Sequence, residues 1–395
     1  PVVPAPRRRR LHPSAGNPCI ASSETLHMTT QFRRHRWSLG SVSVLAVAAL
    51  AVGCADTAYL LQSTTGHLKV LQAARPVESW LADDSSPPAL KQRLQLAQAI
   101  RRYAVDQLKL PDNASYQRFA QLQRRAVVWN VVAAPAFSLT LKTWCFPVAG
   151  CVGYRGYFDE QEAKAQADQL RAQGLEASVY GVPAYSTLGW TNWLGGDPLL
   201  STFIHYPEGE LARMVFHEMA HQVLYVKDDT AFNESFATAV ERLGSAGWLA
   251  TRASPAAQAE YQAFDARRRA FRALAATTRN TLKDIYASAS DSSTATGQQE
   301  VLKAAAYAEF RRSYALLKDQ WSGDTRYDAW VANANNAAFG ALAAYDDWVP
   351  AFENLFKRHG SDWAAFYAAV RQIAELPRDE RTRQLQDLMG TAARS

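Results

Sequence analysis

The chain has 395 residues, 43 basic against 37 acidic, a formal charge of +6, and 48% hydrophobic content, enough for one large buried core or two ordinary ones. The excess charge is local: residues 1–54 hold seven arginines (Arg7, Arg8, Arg9, Arg10, Arg33, Arg34, Arg36) against Glu24, and the remainder balances at 36 basic and 36 acidic residues. That balance excludes a nucleic-acid-binding role, which needs a basic footprint on the folded part.

Residues 1–27 are rich in Pro and Arg, lack apolar periodicity and are expected to carry no fold, as an upstream leader before a start at Met28 would. From Met28 the pattern is that of a bacterial export signal: Arg33-Arg-His-Arg36, an apolar run from Leu39 to Val52, then Gly53-Cys54. The run is short for a membrane span. Leu50-Ala-Val-Gly-Cys54 resembles a lipobox, so residues 28–53 are expected to be a lipoprotein signal peptide, with Cys54 lipidated and the protein tethered in the periplasm. An ordinary signal peptide or an uncleaved anchor is the alternative. Ala55, where inner-membrane retention would place an aspartate, favours the outer membrane.

Residues 54–125 read as helical, with Leu68, Leu71, Leu90, Leu94, Leu96, Ile100, Tyr103 and Leu108 at three-to-four spacing, broken at Ser85–Pro88 and Pro111–Asn113. From Ala126 the period changes. Val127–Val132, Ser138–Thr143, Val152–Phe158 and Ala177–Gly181 read as strands of a small mixed sheet, and Asp159–Gly174 as a helix between two of them, with Ala163, Ala167 and Leu170 inward. Val182–Trp190 is either an exposed edge strand, suited to aligning a peptide, or a structural loop with Trp190 and Trp193 buried. The spacing of Gly189, Gly195 and Gly196 fits no phosphate-binding motif. Export would place Cys145 and Cys151 in an oxidising compartment, and Pro147 and Gly150 can turn the chain between them; a disulfide is expected, two free thiols being the alternative.

The densest chemistry follows, in Val215-Phe-His-Glu-Met-Ala-His-Gln-Val-Leu-Tyr225. His217 and His221 are four apart, so a helix projects both imidazoles from one face with Glu218 beside them, the H-E-x-x-H zinc-hydrolase signature. A catalytic zinc needs a third protein ligand and an open fourth position. Glu234 suits it, on a second apolar-periodic segment that a short polar turn, Lys227–Thr230, would fold back antiparallel. Asn233 is expected to orient a ligand, and Glu241, one heptad after Glu234, to hold the free nitrogen of a ligating histidine. Residues 126–250 thus form the expected catalytic core. Beyond it, 251–395 read as a C-terminal helical region (255–285, 299–320, 337–345, 350–358, 361–374), with Ser288–Gly297 as a surface loop or lid.

His-Glu-Met-Ala-His followed by Asn-Glu-Ser-Phe-Ala resembles the gluzincin zinc metallopeptidases. More narrowly, Cys151-Val-Gly-Tyr-Arg-Gly-Tyr-Phe158, Val182–Trp190 and Asp197-Pro-Leu-Leu-Ser-Thr202, in that order, resemble a bacterial family called putative aminopeptidases, over nearly all of the chain after Cys54. The resemblance implies an α+β, predominantly α-helical, thermolysin-like fold in which the sheet precedes the active-site helix. It also implies one zinc on His217, His221 and Glu234, with Glu218 as the general base that activates water against a peptide bond. Gluzincin aminopeptidases often supply an oxyanion-binding tyrosine from downstream helices, which points to Tyr345 or Tyr314. The G-x-M-E-N string that holds a substrate's free amine in the best-known members does not occur. A zinc endopeptidase and a non-catalytic lipoprotein that keeps its zinc are therefore the alternatives to an aminopeptidase.

Overall fold

The computed structural model describes residues 59–390 apart from 147–149, 190–191, 289–292 and 344–347. The leader 1–27, the signal segment 28–53, Cys54, Trp190 and Tyr345 lie outside the described residues. Those described belong to one unit, Thr57–Ser395, in which helices predominate around small sheets, an α+β architecture. No helix among them is long and apolar enough to cross a membrane.

The N-terminal part runs through α1 (59–73), β1 (Ala74–Pro76), α2 (Val77–Ala82) and α3 (Pro88–Asp106), then β2 (Arg118–Ala120). The two strands interrupt the stretch that reads as purely helical. β1 pairs antiparallel with β2, which in turn runs parallel to β8 (Leu199–Leu200). Three-residue strands carry too little alternation to stand out in sequence, and their partners lie far along the chain.

The second sheet is built on β3 (Val128–Pro135), flanked antiparallel by β6 (Arg155–Tyr157) and β7 (Leu175–Val182). Its β-branched and aromatic residues are buried on both faces. Trp129, Val131 and Ala133 meet Ala163, Ala167 and Leu170 of α4 (Glu160–Ala172), while Val132 and Ala134 meet Ala337 on the other side. Pro135, with no N–H to donate, ends the strand. Asp159 caps α4 by accepting from the N–H groups of Gln161 and Glu162.

Two strand expectations are corrected. Ser138–Thr143 is irregular, bonded to β3 where Ser138 N–H donates to Pro135 O and Lys142 N–H to Ala133 O, and the strand comes later as β4 (Trp144–Phe146). Val152–Phe158 is two strands, because the chain bends at Gly153-Tyr154: β5 (Gly150–Val152) pairs with β4, whereas β6 pairs with β3. A disulfide joins Cys145 to Cys151 across the β4–β5 hairpin. The main sheet is thus fully antiparallel; the mixed pairing occurs in the β1-β2-β8 sheet.

The main core gathers around α5 (Glu208–Ala220) and α6 (Thr230–Thr251). Leu211, Ala212, Val215, Phe216 and Met219 of α5 face Phe236, Ala237 and Val240 of α6. Phe352 of α11 (Val349–Arg358) and Phe366 and Tyr367 of α12 (Trp363–Ala374) cover the aromatic side of α6. The long pair α7 (Pro255–Ala287) and α8 (Ser293–Gln320) forms a separate aromatic cluster with α9 (Asp328–Ala332) and α10 (Asn336–Ala343). Ser293 to Gly297 are helical, which shortens the expected loop, and α13 (Arg378–Gly390) closes the described chain.

Glycine sets how closely α6 lies on α5. A Cβ at Gly244 would fall 2.5 Å from Leu108 Cδ1 and 3.0 Å from Phe216 Cδ2. Gly244→Val is therefore expected to lower stability by about 1–3 kcal/mol, the usual cost of overpacking. Gly297→Ala, on a helix with nothing within 4 Å of the added carbon, should raise it by roughly 0.5–1 kcal/mol. Denaturant midpoints of the two variants measure both effects, and equal shifts would refute the packing argument.

Candidate metal centre

The last turn of α5 carries His217 and Glu218, and His221 is its C-cap. The chain then reverses over 222–229 into α6, whose second turn carries Glu234. Several contacts fix this reversal. Asn233 pairs with the backbone of Val226 in both directions, its Oδ1 accepting from the N–H and its Nδ2 donating to the C=O, each at 2.8 Å. Asp229 caps α6 at Phe232 N and is held by Arg381. Cys151 N–H, from the disulfide hairpin, donates to Asp228 Oδ1. Asn233 is thus the clamp of the turn: among the described residues both ends of its amide are given to Val226, and neither is bonded to a histidine.

The reversal brings three side chains together. His217 Nε2 lies 3.2 Å from His221 Nε2 and 3.4 Å from Glu234 Oε2, and His221 Nε2 lies 3.7 Å from the same oxygen. This is the His/Cys/Asp/Glu cluster that converges tightly enough to hold an ion among the described residues. Tetrahedral coordination with bonds of 2.0–2.1 Å separates ligand atoms by roughly 3.3 Å, so the triangle fits a small divalent cation of that geometry. Two imidazoles in the set disfavour magnesium and calcium, which take oxygen ligands.

Residues 58–385 match the family described as putative aminopeptidase. The chain belongs to this family. No curated protein and no solved structure matches it. The family's name brings peptidase activity and peptide substrates with it, and the cluster on α5 and α6 is where such chemistry would sit in this aminopeptidase-family chain.

Around the triangle, Glu241 Oε2 lies 3.0 Å from His217 Nδ1. A proton on Nδ1 donated to that carboxylate leaves the Nε2 lone pair facing the triangle. His221 Nδ1 is buried and has no hydrogen-bond partner among the described residues, so packing orients the ring on that side and the Nε2 contact with His217 on the other. Burial disfavours a charge on either imidazole. At His217 the Glu234 and Glu241 carboxylates outweigh burial and push the pKa up to about 10, whereas at His221 burial, reinforced by the charge on His217, holds it down at about 4. One proton shared along the 3.2 Å Nε2···Nε2 contact is the metal-free state these values describe. Glu218 is buried, and burial, with the charges of Glu234, Asp197 and Glu241, raises its carboxyl to about 7 against the opposing pull of His217.

Of the stretch Val182–Trp190, the described residues after β7 ends at Val182 (183–189) form a loop, the alternative to an edge strand. It is pinned beside α5 by buried Asp197, whose carboxylate accepts from Thr187 N–H at 2.9 Å and Thr187 Oγ1 at 2.8 Å. Gln222, next to His221, accepts from Asn113 Nδ2 at 2.6 Å and donates to Ser115 Oγ at 3.2 Å. Trp193 on this rim is 81% exposed, contrary to the buried-loop reading. Tyr314 is elsewhere, donating to Asp328 Oδ1 at 2.6 Å within the α7–α8 cluster, which removes it as an oxyanion donor. Burial and the Glu234 carboxylate instead both raise the hydroxyls of Tyr154, Tyr180 and Tyr225, tyrosines that sequence reasoning passed over. A concavity of about 600 Å³ lined by Arg93, His205, Glu208 and Glu260 opens at the other end of α5 and includes none of the cluster residues.

Because His217 is protonated at neutral pH without metal, a cation must displace that proton. Titration with zinc at pH 7 in buffers of different ionisation enthalpy should show about one proton released per chain. Affinity should rise with pH up to the pKa of His217 and level off above it. No release would contradict the geometry, and so would full metal retention by His217→Ala.

Proposed function

We propose that the chain is a zinc-dependent aminopeptidase. The observation that carries this reading is the convergence of His217, His221 and Glu234, in a chain that belongs to the putative aminopeptidase family. Two imidazoles and one carboxylate are a ligand set of catalytic zinc sites, with the fourth position left for water. Zinc held there would act as a Lewis acid and lower the pKa of that water.

The chain's own residues do the rest. Glu218 accepts the proton of the attacking water and returns it to the leaving amine as the C–N bond breaks. Among the described residues no group hydrogen-bonds its carboxylate, while Glu234 and Glu241 are engaged with the histidines, so Glu218 is the carboxylate left for proton transfer. The rim formed by Gln222, Asp197 and the loop after β7 borders the substrate's path.

Glu218→Gln should leave zinc content and thermal stability near wild type and lower kcat by about 10²–10⁴-fold, the range for a positioned base. Glu234→Gln should instead lose zinc, because a neutral amide replaces a charged ligand. The reverse pattern would overturn the assignment, and retained zinc without hydrolysis of any peptide would favour the non-catalytic alternative. Blocking the substrate's amine decides between exo- and endopeptidase: activity on free-amine peptides that disappears on N-acetylated ones marks the aminopeptidase. Equal rates mark an endopeptidase, the second reading, favoured by the missing G-x-M-E-N string.

We also propose, from the sequence around Cys54, that the protein is a lipid-anchored periplasmic protein. Mass spectrometry of the native N-terminus should find diacylglycerol on Cys54, and Cys54→Ser should prevent processing. An unlipidated N-terminus elsewhere would refute the anchor.

A further inference from the structure

The metal-centre reading accounts for Glu241 as the partner of His217, yet Glu241 has a second oxygen, and that oxygen is also taken. Arg213 Nε donates to Glu241 Oε1 at 2.8 Å, while Glu241 Oε2 faces His217 Nδ1 at 3.0 Å. Arg213 sits one helical turn before His217 on α5, so the guanidinium and the imidazole flank one carboxylate from the same helix. The guanidinium is held in turn: its Nη1 donates to Glu210 Oε2 at 3.1 Å. Arg268 of α7 grips both oxygens of Glu210, Nη1 to Oε2 at 2.8 Å and Nη2 to Oε1 at 3.1 Å, and its Nη2 also reaches Asp265 at 3.0 Å. Side chains from three helices therefore form one alternating chain from α7 to the edge of the metal triangle. Its members are largely buried, with side-chain exposures of 5% for Glu241, 18% for Arg213, 13% for Glu210 and 15% for Arg268.

We propose that Arg213 is a positioning residue for the metal centre: by taking one oxygen of Glu241 it fixes the carboxylate plane and so the orientation in which His217 presents Nε2 to the ion. The inference rests on the metal-centre reading and deepens it. A purely structural role is the competing account, and physical chemistry argues against it. Ion chains in a protein interior contribute little net stability compared with apolar side chains of the same volume, because each charge is desolvated. A fixed hydrogen bond to the far nitrogen of a ligating histidine, by contrast, commonly changes metal affinity by about 10–100-fold. Arg213 is suited to this task because its planar fork addresses Glu241 and Glu210 from two edges at once, which a lysine ammonium does with less directionality.

The test uses the full chain with Arg213→Gln, Arg213→Lys and, should the first fail to fold, Arg213→Gln/Glu210→Gln, which removes one charge of each sign. Lys318→Gln, which breaks the remote Lys318–Asp328 pair at 2.6 Å, is the control for general destabilisation. Zinc affinity is measured by chelator competition, and the ligand field by the visible spectrum of the cobalt-loaded chain. Arg213→Gln should bind zinc about 10–100-fold more weakly than wild type and change the cobalt spectrum. Arg213→Lys should recover part of both, and Lys318→Gln should leave both unchanged. A folded Arg213→Gln with zinc affinity within about twofold of wild type and an unaltered cobalt spectrum overturns the proposal. Lys318→Gln weakening zinc as much as Arg213→Gln overturns it too. Wild-type protein that binds no zinc would end the metal-centre reading and this proposal together, whereas wild-type binding with an indifferent Arg213→Gln ends this proposal alone.

Discussion

The structure depends on placing two imidazoles and three carboxylates in a low-dielectric interior between α5 and α6. An ion there without a partner costs several kcal/mol, so each charge must meet its opposite. Without metal, the proton on His217 faces Glu234 and Glu241, Arg213 faces Glu241 and Glu210, and Arg268 faces Glu210. Glu218 has no hydrogen-bond partner among the described residues, and burial, against the pull of the His217 charge, raises its carboxyl to about 7. A dication in the triangle changes that balance in one direction: it displaces a single proton from the histidines, adds net positive charge, and thereby favours the ionised form of Glu218, the form a general base requires. Metal binding and readiness for proton transfer are coupled through the same electrostatics.

The rest of the fold keeps that pocket in register. Gly244 lets α6 approach α5 to packing distance, and Phe232, Phe236 and Phe352 close the far side against water. The reversal between the two helices is tied at Val226 by Asn233, at Asp228 by the disulfide hairpin and at Asp229 by Arg381 from α13. Segments distant in sequence converge on a turn of eight residues and thereby fix where Glu234 stands against the two histidines.

How much of this is legible in the sequence follows from how local each signal is. The pairing of His217 with His221 needs only the helical period, and Glu234 needs only a turn and a second helix. The cap at Asp159, the apolar stripe of α4 and the β-branched run of β3 are equally local. Ser138–Thr143 alternates like a strand, yet Pro135 has already ended its neighbour and the chain leaves the ladder. Val182–Trp190 has strand-like composition, but the hydrogen bonds that shape it come from Asp197, which no short-range pattern connects to Thr187. Asn233 stands beside the third ligand in sequence while its side chain points back along the turn to Val226. The Arg213–Glu210–Arg268 chain had a partial signal, since Glu210, Arg213 and His217 fall three and four apart on an otherwise apolar helix. Its completion through α6 and α7 is a matter of tertiary packing.

If the proposed zinc chemistry holds, substrate choice would depend on the rim more than on the triangle. An exopeptidase must close one end of its cleft and place a negative charge where a free amine arrives. Asp197 is an acidic residue at the rim loop, and its oxygens accept from Thr187, so it shapes that loop and has little left to offer a ligand. Glu241 is committed to Arg213 and His217, and Glu234 to the histidines. An amine-binding anion would have to come from Glu218 itself or from a segment that reaches the rim from another part of the chain, which places the distinction between exo- and endopeptidase outside the H-E-x-x-H helix and in the loops that frame it.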